Sequence, residues 1–221
     1  MGQDTVFQQV VKLIPRKIFE SSVKKHGGDK GVKTLDCWTW FGALLFGQLT
    51  GHDSIRAIER VFAHGDKQLQ KLGFSAVKKS TFADANQKRP LEILCDVYQH
   101  VCAKAMTVGP KKTRFRFNGQ VMALDSTTIE LCLSLCPWAS FHHQKGAMKL
   151  HVAVDIANHL PQVVVMTDGR CHDVRAAKNA MEFSAGTTII MDRAYVDYAW
   201  LNSLTQSGVH FVTRVKKKLP V

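Results

Sequence analysis

The strongest constraint on the fold of this chain is a change in apolar period near position 110. Upstream, hydrophobic residues recur every three or four positions, as one face of an α-helix requires. Phe7, Val10, Val11, Ile14 and Ile18 share such a face, with Pro15 as a kink point. Thr34 precedes a second run, L-D-C-W-T-W-F-G-A-L-L-F-G-Q-L, whose Trp38, Trp40, Phe41 and Phe46 suit a core. Asp53 suits an N-cap for S-I-R-A-I-E-R-V-F-A-H, with Ile55, Ile58, Val61 and Phe62 on one face and Gly65 as its stop. Ser80 is placed to cap a short helix through Asn86, and Pro90 suits the first turn of the next. The stretch V-G-P-K-K-T at 108–113 reads as a linker.

Downstream the pattern becomes that of strands. R-F-R-F at 114–117, Asn118-Gly119 and Q-V-M-A-L-D read as a hairpin. A-M-K-L-H-V-A-V-D at 147–155 and L-P-Q-V-V-V-M-T at 160–167 follow, joined by A-N-H. Asp173 is placed to cap a helix, G-T-T-I-I-M-D forms a strand, and Asp197 caps a second helix stopped by Gly208. V-H-F-V-T-R-V is the last strand. Strands joined by short turns, then helix, strand, helix, strand, is the order of an RNase H-like α/β domain without its final helix. The expected architecture is an all-α domain over 1–107 and a partial RNase H-like mixed sheet over 114–221. Without the final helix, an apolar sheet face is expected to stay exposed.

The formal charge of +12 is unevenly spread. Residues 1–120 hold 20 Lys/Arg against 10 Asp/Glu, and residues 121–221 hold 10 against 8. A basic leading half points to a polyanionic partner, and hence to a helical DNA-binding domain ahead of a catalytic one. Lys78, Lys79, Lys88 and Arg89 flank S-T-F-A-D-A-N-Q, the DNA-facing segment if 53–89 is a helix-turn-helix-like unit. The apolar stretch at 41–47 is too short to span a bilayer, and the N-terminus lacks a secretory pattern, so a cytoplasmic protein is expected. Six Cys within mostly apolar segments fit reduced thiols.

Asp125 and Asp192 each close an apolar strand-like run, V-M-A-L-D and T-T-I-I-M-D. A carboxylate at such a tip is costly unless something positive meets it. Two of them suggest a divalent metal, and hard oxygen ligands suit Mg²⁺ or Mn²⁺. Arg193 and Tyr195 beside Asp192 are phosphate or stacking candidates. Lys145, Lys149 and His151 alternate along a strand, either as a solvated face or as phosphate contacts. Cys132, Cys136, His142 and His143 lack zinc spacing. Asp197 and Asp173 read as caps. No Asp or Glu follows Asp197.

A-L-D-S-T-T-I, K-G-A-M-K-L-H, T-D-G-R-C-H-D, D-R-A-Y-V-D-Y and F-V-T-R, in that order, resemble the DDE transposases of bacterial insertion sequences. The closer resemblance is to the group with a Y-x-x-R-x-x-E-x-x-x-x-x-x-K signature. It implies Asp125 and Asp192 as the first two catalytic, metal-holding carboxylates, with Mg²⁺ or Mn²⁺ as cofactor. It implies DNA as partner, both terminal inverted repeats and target, with a homo-oligomer on DNA, nucleoid association and no membrane. The family's catalytic Glu lies beyond F-V-T-R, so a chain truncated before it and inactive is expected. Glu182, the last Glu, precedes Asp192 and cannot fill that place. Two other readings stay open: a non-catalytic DNA-binding remnant, and another RNase H-like nuclease using Glu130 or Asp155.

Overall fold

The computed structural model describes residues 4–52, 54–63, 67–108, 119–131, 140–142 and 145–215, with the backbone alone at 131, 140–142 and 145. Two compact units divide at Val101/Cys102.

The first unit is helical. Pro15 does more than kink the first apolar face. It ends α1 (Val6–Leu13) and occupies the N-cap position of α2 (Arg16–His26), since its ring fixes φ and supplies no N–H. Asp36 caps α3 (Cys37–Thr50) by accepting from Thr39 N at 2.6 Å. α4 (Ile55–Ala63) starts with Ser54 Oγ accepting from Ala57 N, while Asp53 and Gly65 lie outside the described residues. α5 (Lys67–Lys71) and α6 (Lys79–Lys88) follow. α6 begins one residue before Ser80, and its first N–H is met by the Glu59 carboxylate at 2.8 Å. α7 (Glu92–Val108) crosses the unit boundary.

Aromatic rings fill this unit's core. Phe19, Trp38, Trp40, Phe62, Phe74 and Phe82 are all buried. Phe19 meets Trp38 edge-on at 5.1 Å, a geometry that ring quadrupoles favour. Gly42 lets α3 lie directly on Phe74, because a Cβ there would come within 2.3 Å of that ring.

In the second unit, β1 (Val121–Leu131) is central. It pairs antiparallel with β3 (Lys145–Asp155) and parallel with β5 (Thr188–Met191). Beyond β3 lie β2 (Ser140–His142) and β4 (Leu160–Asp168), and beyond β5 lies parallel β6 (His210–Val212). α8 (Asp173–Ala180) and α9 (Tyr198–Gln206) fill the connections, the second after a short 3-10 turn at Arg193–Tyr195. This mixed sheet with its crossover helices is the RNase H-like arrangement. The expected strand at 114–117, its turn residue Asn118 and most of the 108–113 linker lie outside the described residues.

β1 runs through Leu131, well past Asp125, because Ser126–Leu131 continue the ladder with Gly146–His151. Met122, Leu124, Ala153, Ile189 and Met191 face a core closed by Ala177 of α8, by Met181 just after it, and by Trp200, Leu201 and Leu204 of α9. Alternation sends their neighbours to the other face. There Val164, Met166, Ile190 and Val212 are 45, 56, 41 and 55% exposed. Gly119 holds φ +125° where a Cβ would strike the Gly186 carbonyl, so only glycine fits where the chain enters the sheet.

Candidate active site

Leu124 of β1 and Met191 of β5 are register partners on parallel strands, and Asp125 and Asp192 come one residue later on each. Such strands run about 4.8 Å apart. Both side chains are exposed, and the buried residue before each fixes the outward direction. Asp125 Oδ1 accepts from Ser126 N at 2.8 Å, and Asp192 Oδ1 accepts from Ala194 N at 2.8 Å. Each carboxylate is therefore oriented through one oxygen by its own backbone. These hard oxygen donors fit a Mg²⁺- or Mn²⁺-type cation. Among the described residues no group of three or more His, Cys, Asp or Glu is arranged to hold a metal.

Behind Asp125, on the buried side of the sheet, lies a polar cluster that the sequence did not reveal. Asp173 is not the cap of α8. His172 holds that position without a side-chain bond, and Asp173 is the first helical residue, where a negative charge suits the helix dipole. Its Oδ1 accepts from Ser126 Oγ at 3.0 Å and from Lys149 Nζ at 3.2 Å, with His151 Nδ1 at 3.6 Å. Lys149 also donates to the Cys171 carbonyl at 3.0 Å. Lys149 and His151 are thus not a solvated strand face. His151 is fully buried, and both residues point to the α8 side.

His151 Nε2 lies 2.9 Å from Thr167 Oγ1, whose single proton goes to the Asp168 carbonyl. Nδ1 makes no hydrogen bond among the described residues and faces Asp173 Oδ1 at 3.6 Å. Burial lowers the pKa of the imidazole, Asp173 opposes that, and Lys149 adds to it. Tyr195 is 1% exposed, so this ring is a core residue and not a nucleic-acid contact. Its hydroxyl makes no well-formed hydrogen bond, although Ser126 lies close enough to favour its ionisation. Burial, and then the charges of Asp173, Asp125 and Asp192, push its pKa well up and keep it protonated.

The remaining candidates separate. Arg193 is exposed beside Asp192. Lys78, Lys79 and Lys88 are exposed on the first unit. Arg89 is a staple and not a surface cation. Its side chain is 5% exposed, pairs with Asp29 at 2.7 Å and donates to the Leu35 carbonyl and to Cys37 Sγ. Burial, chiefly, pushes the Cys37 thiol up to about 12. Asp155 is committed to the β3–β4 turn, accepting from Ala157 N, Asn158 N, Gln120 Nε2 and Gln162 Nε2. Glu130 sits five residues beyond Asp125 on an extended strand, roughly 16 Å away. The side chains of Lys145 and His142, and residues Cys132, Cys136 and His143, lie outside the described set.

Residues 116–220 match the transposase DDE domain family, and residues 2–75 match a domain family of unknown function, DUF4372. That DDE-domain match falls within the second unit. The probable transposase for insertion sequence element IS5377 of Geobacillus stearothermophilus is 29% identical over 134 residues, 60% of this chain and 35% of that protein. The cryo-EM structure of a piggyBac transposase synaptic complex with hairpin DNA aligns over 96% of this chain and 49% of its own, with a TM-score of 0.44 and 12% identity. The chain therefore spans about a third of the first relative and about half of the second. Within the matched residues Asp125 lies inside the central strand and Asp192 just past the end of its parallel neighbour. DDE chemistry depends in general on divalent metal. Among the described residues no helix is long and apolar enough to cross a membrane.

Proposed function

We propose that this chain is the DNA-binding and part of the catalytic portion of an insertion-sequence transposase. The observation that carries the reading is the side-by-side placement of Asp125 and Asp192 one residue past a parallel register pair. Asp125 and Asp192 would hold Mg²⁺ or Mn²⁺, their Oδ1 atoms kept in place by the Ser126 and Ala194 amides. A bound ion supplies Lewis-acid stabilisation of charge developing on a phosphodiester. The exposed Lys78, Lys79 and Lys88, together with Arg193, would contact DNA phosphates at the element's inverted repeats and at the target, in a homo-oligomer on DNA. The setting would be the bacterial cytoplasm and nucleoid.

The test is a mobility shift of the full chain on a duplex bearing the element's ends, with a parallel nicking assay in Mn²⁺. Binding should fall steeply between low and physiological salt, because phosphate contacts release counterions. Alanine at Lys78 and Lys79 together should reduce both affinity and salt slope. Salt-independent binding, or none, would refute the DNA-binding half. Metal-dependent nicking that survives both Asp125→Ala and Asp192→Ala would refute the site.

A further inference from the structure

We infer that Asp173 is a positioning residue for the carboxylate site, acting on Asp125 through Ser126. Ser126 is the bridge. Its backbone N–H orients the Asp125 carboxylate at 2.8 Å, and its hydroxyl donates to Asp173 Oδ1 at 3.0 Å. The side chains of Asp125 and Ser126 stand on opposite faces of β1, because side chains alternate along a strand. Asp173 thereby holds, from the first turn of α8, the one peptide that aims Asp125 outward. The same oxygen takes Lys149 Nζ at 3.2 Å, which pins β3 to the same point. The surroundings are closed and polar. His151 is fully buried, and Tyr195, only 1% exposed, has its hydroxyl next to Ser126.

A half-buried carboxylate needs donors, and Asp173 has them, so the cluster also has a purely structural reading. Against that stands the choice of partner. A hydroxyl one residue along from a candidate ligand transmits position to it, as an outer partner of a metal-ligating carboxylate does.

The inference rests on the metal-holding reading of Asp125 and Asp192, and the experiment separates the two. The full chain is titrated with Mn²⁺ alone and followed by electron paramagnetic resonance, in the parent and in Asp173→Ala, Asp173→Asn, Ser126→Ala and Ser126→Thr. An asparagine oxygen still accepts from Ser126, and a threonine hydroxyl still donates. Asp173→Ala and Ser126→Ala should each weaken Mn²⁺ binding about tenfold or more, while Asp173→Asn and Ser126→Thr recover most of it. The double alanine variant should be no worse than either single one, since both cut the same link. Additive losses would overturn the inference, as would parent-like binding by Ser126→Ala.

A second, metal-free readout is the hydrogen exchange of the Ser126 amide by NMR. It should accelerate in Asp173→Ala and not in Asp173→Asn. Parent-like protection in Asp173→Ala overturns the inference. Should the parent bind no Mn²⁺, the metal reading fails, and the exchange result alone supports or overturns the role of Asp173.

Discussion

The two units treat their polar groups in opposite ways. In the helical unit, polar bonds tie separate segments together at the margin of an aromatic core. Arg89 ties the 28–37 segment to the end of α6, and Asp96 gathers Ser22, Lys25 and His26. In the sheet unit, Ser126, Lys149, His151, Asp173 and Tyr195 converge behind the middle of β1, next to Asp125. The first pattern holds a shape. The second gathers polar groups behind Asp125 and leaves two orphan atoms, His151 Nδ1 and Tyr195 Oη, where the helical unit leaves Arg89 Nε. Their apolar surfaces differ too. Rings close the helical core, whereas the sheet keeps Val164, Met166, Ile190 and Val212 exposed on the face that carries Asp125 and Asp192.

The contrast breaks most visibly at Phe82. Truncation to alanine empties the helical core at a fully packed ring, which costs about 3–5 kcal/mol. Denaturant unfolding followed by unit-resolved hydrogen exchange should show that loss in residues 4–101 and not in 119–215. Equal loosening of both would mean that the cores are one. A smaller effect is expected from Gly42→Ala. The new methyl meets the buried Phe74 ring, and overpacking costs roughly 1–3 kcal/mol. An unchanged midpoint would show that the ring has room to move.

pH sharpens the comparison further, because the two units titrate in different windows. Burial holds the folded pKa of His151 below its ordinary 6.5. As pH falls below that value the unfolded chain gains a proton that the folded ring refuses, so the sheet unit loses stability with acidification. His151→Gln should flatten that slope in urea midpoints taken between neutral and mildly acidic pH. Hydrogen bonds from His26, then Ser22 and Lys25, hold Asp96 at about 2 against an ordinary 3.8. That contribution to the helical unit is present above 3.8 and lost as pH drops toward 2, and Asp96→Asn should abolish it. The smallest stability change is expected on the open sheet face. Met166→Lys and Val212→Lys should move stability by about 0.5 kcal/mol or less, while light scattering shows reduced association. A large destabilisation would mean that this face is packed in solution.

Much of this was legible along the chain. The period of 3.6 in Ile55, Ile58, Val61 and Phe62, and the alternation of 147–155, are local consequences of which face is wet. Two aspartates closing apolar runs marked the candidate site for the same reason. The split at Pro15 was half legible, since a proline can kink a helix or start the next one. What could not be read was partner choice. Asp173 looked like a cap, because Asp beside a helix start usually caps it. Arg89 and Tyr195 looked like DNA contacts, because basic and aromatic side chains near such motifs often are.

By itself, then, the sequence determined the helix and strand periods, the change between them near residue 110, and the two carboxylate tips, all of which follow from the identity of near neighbours. Only the tertiary structure decided that Asp173 meets Ser126, that His151 and Tyr195 are sealed inside, and that Arg89 is spent on Asp29. Those outcomes depend on which distant segments desolvate each polar group. A buried charge or hydroxyl takes whichever partner the packing brings within about 3 Å, and no local pattern encodes that choice.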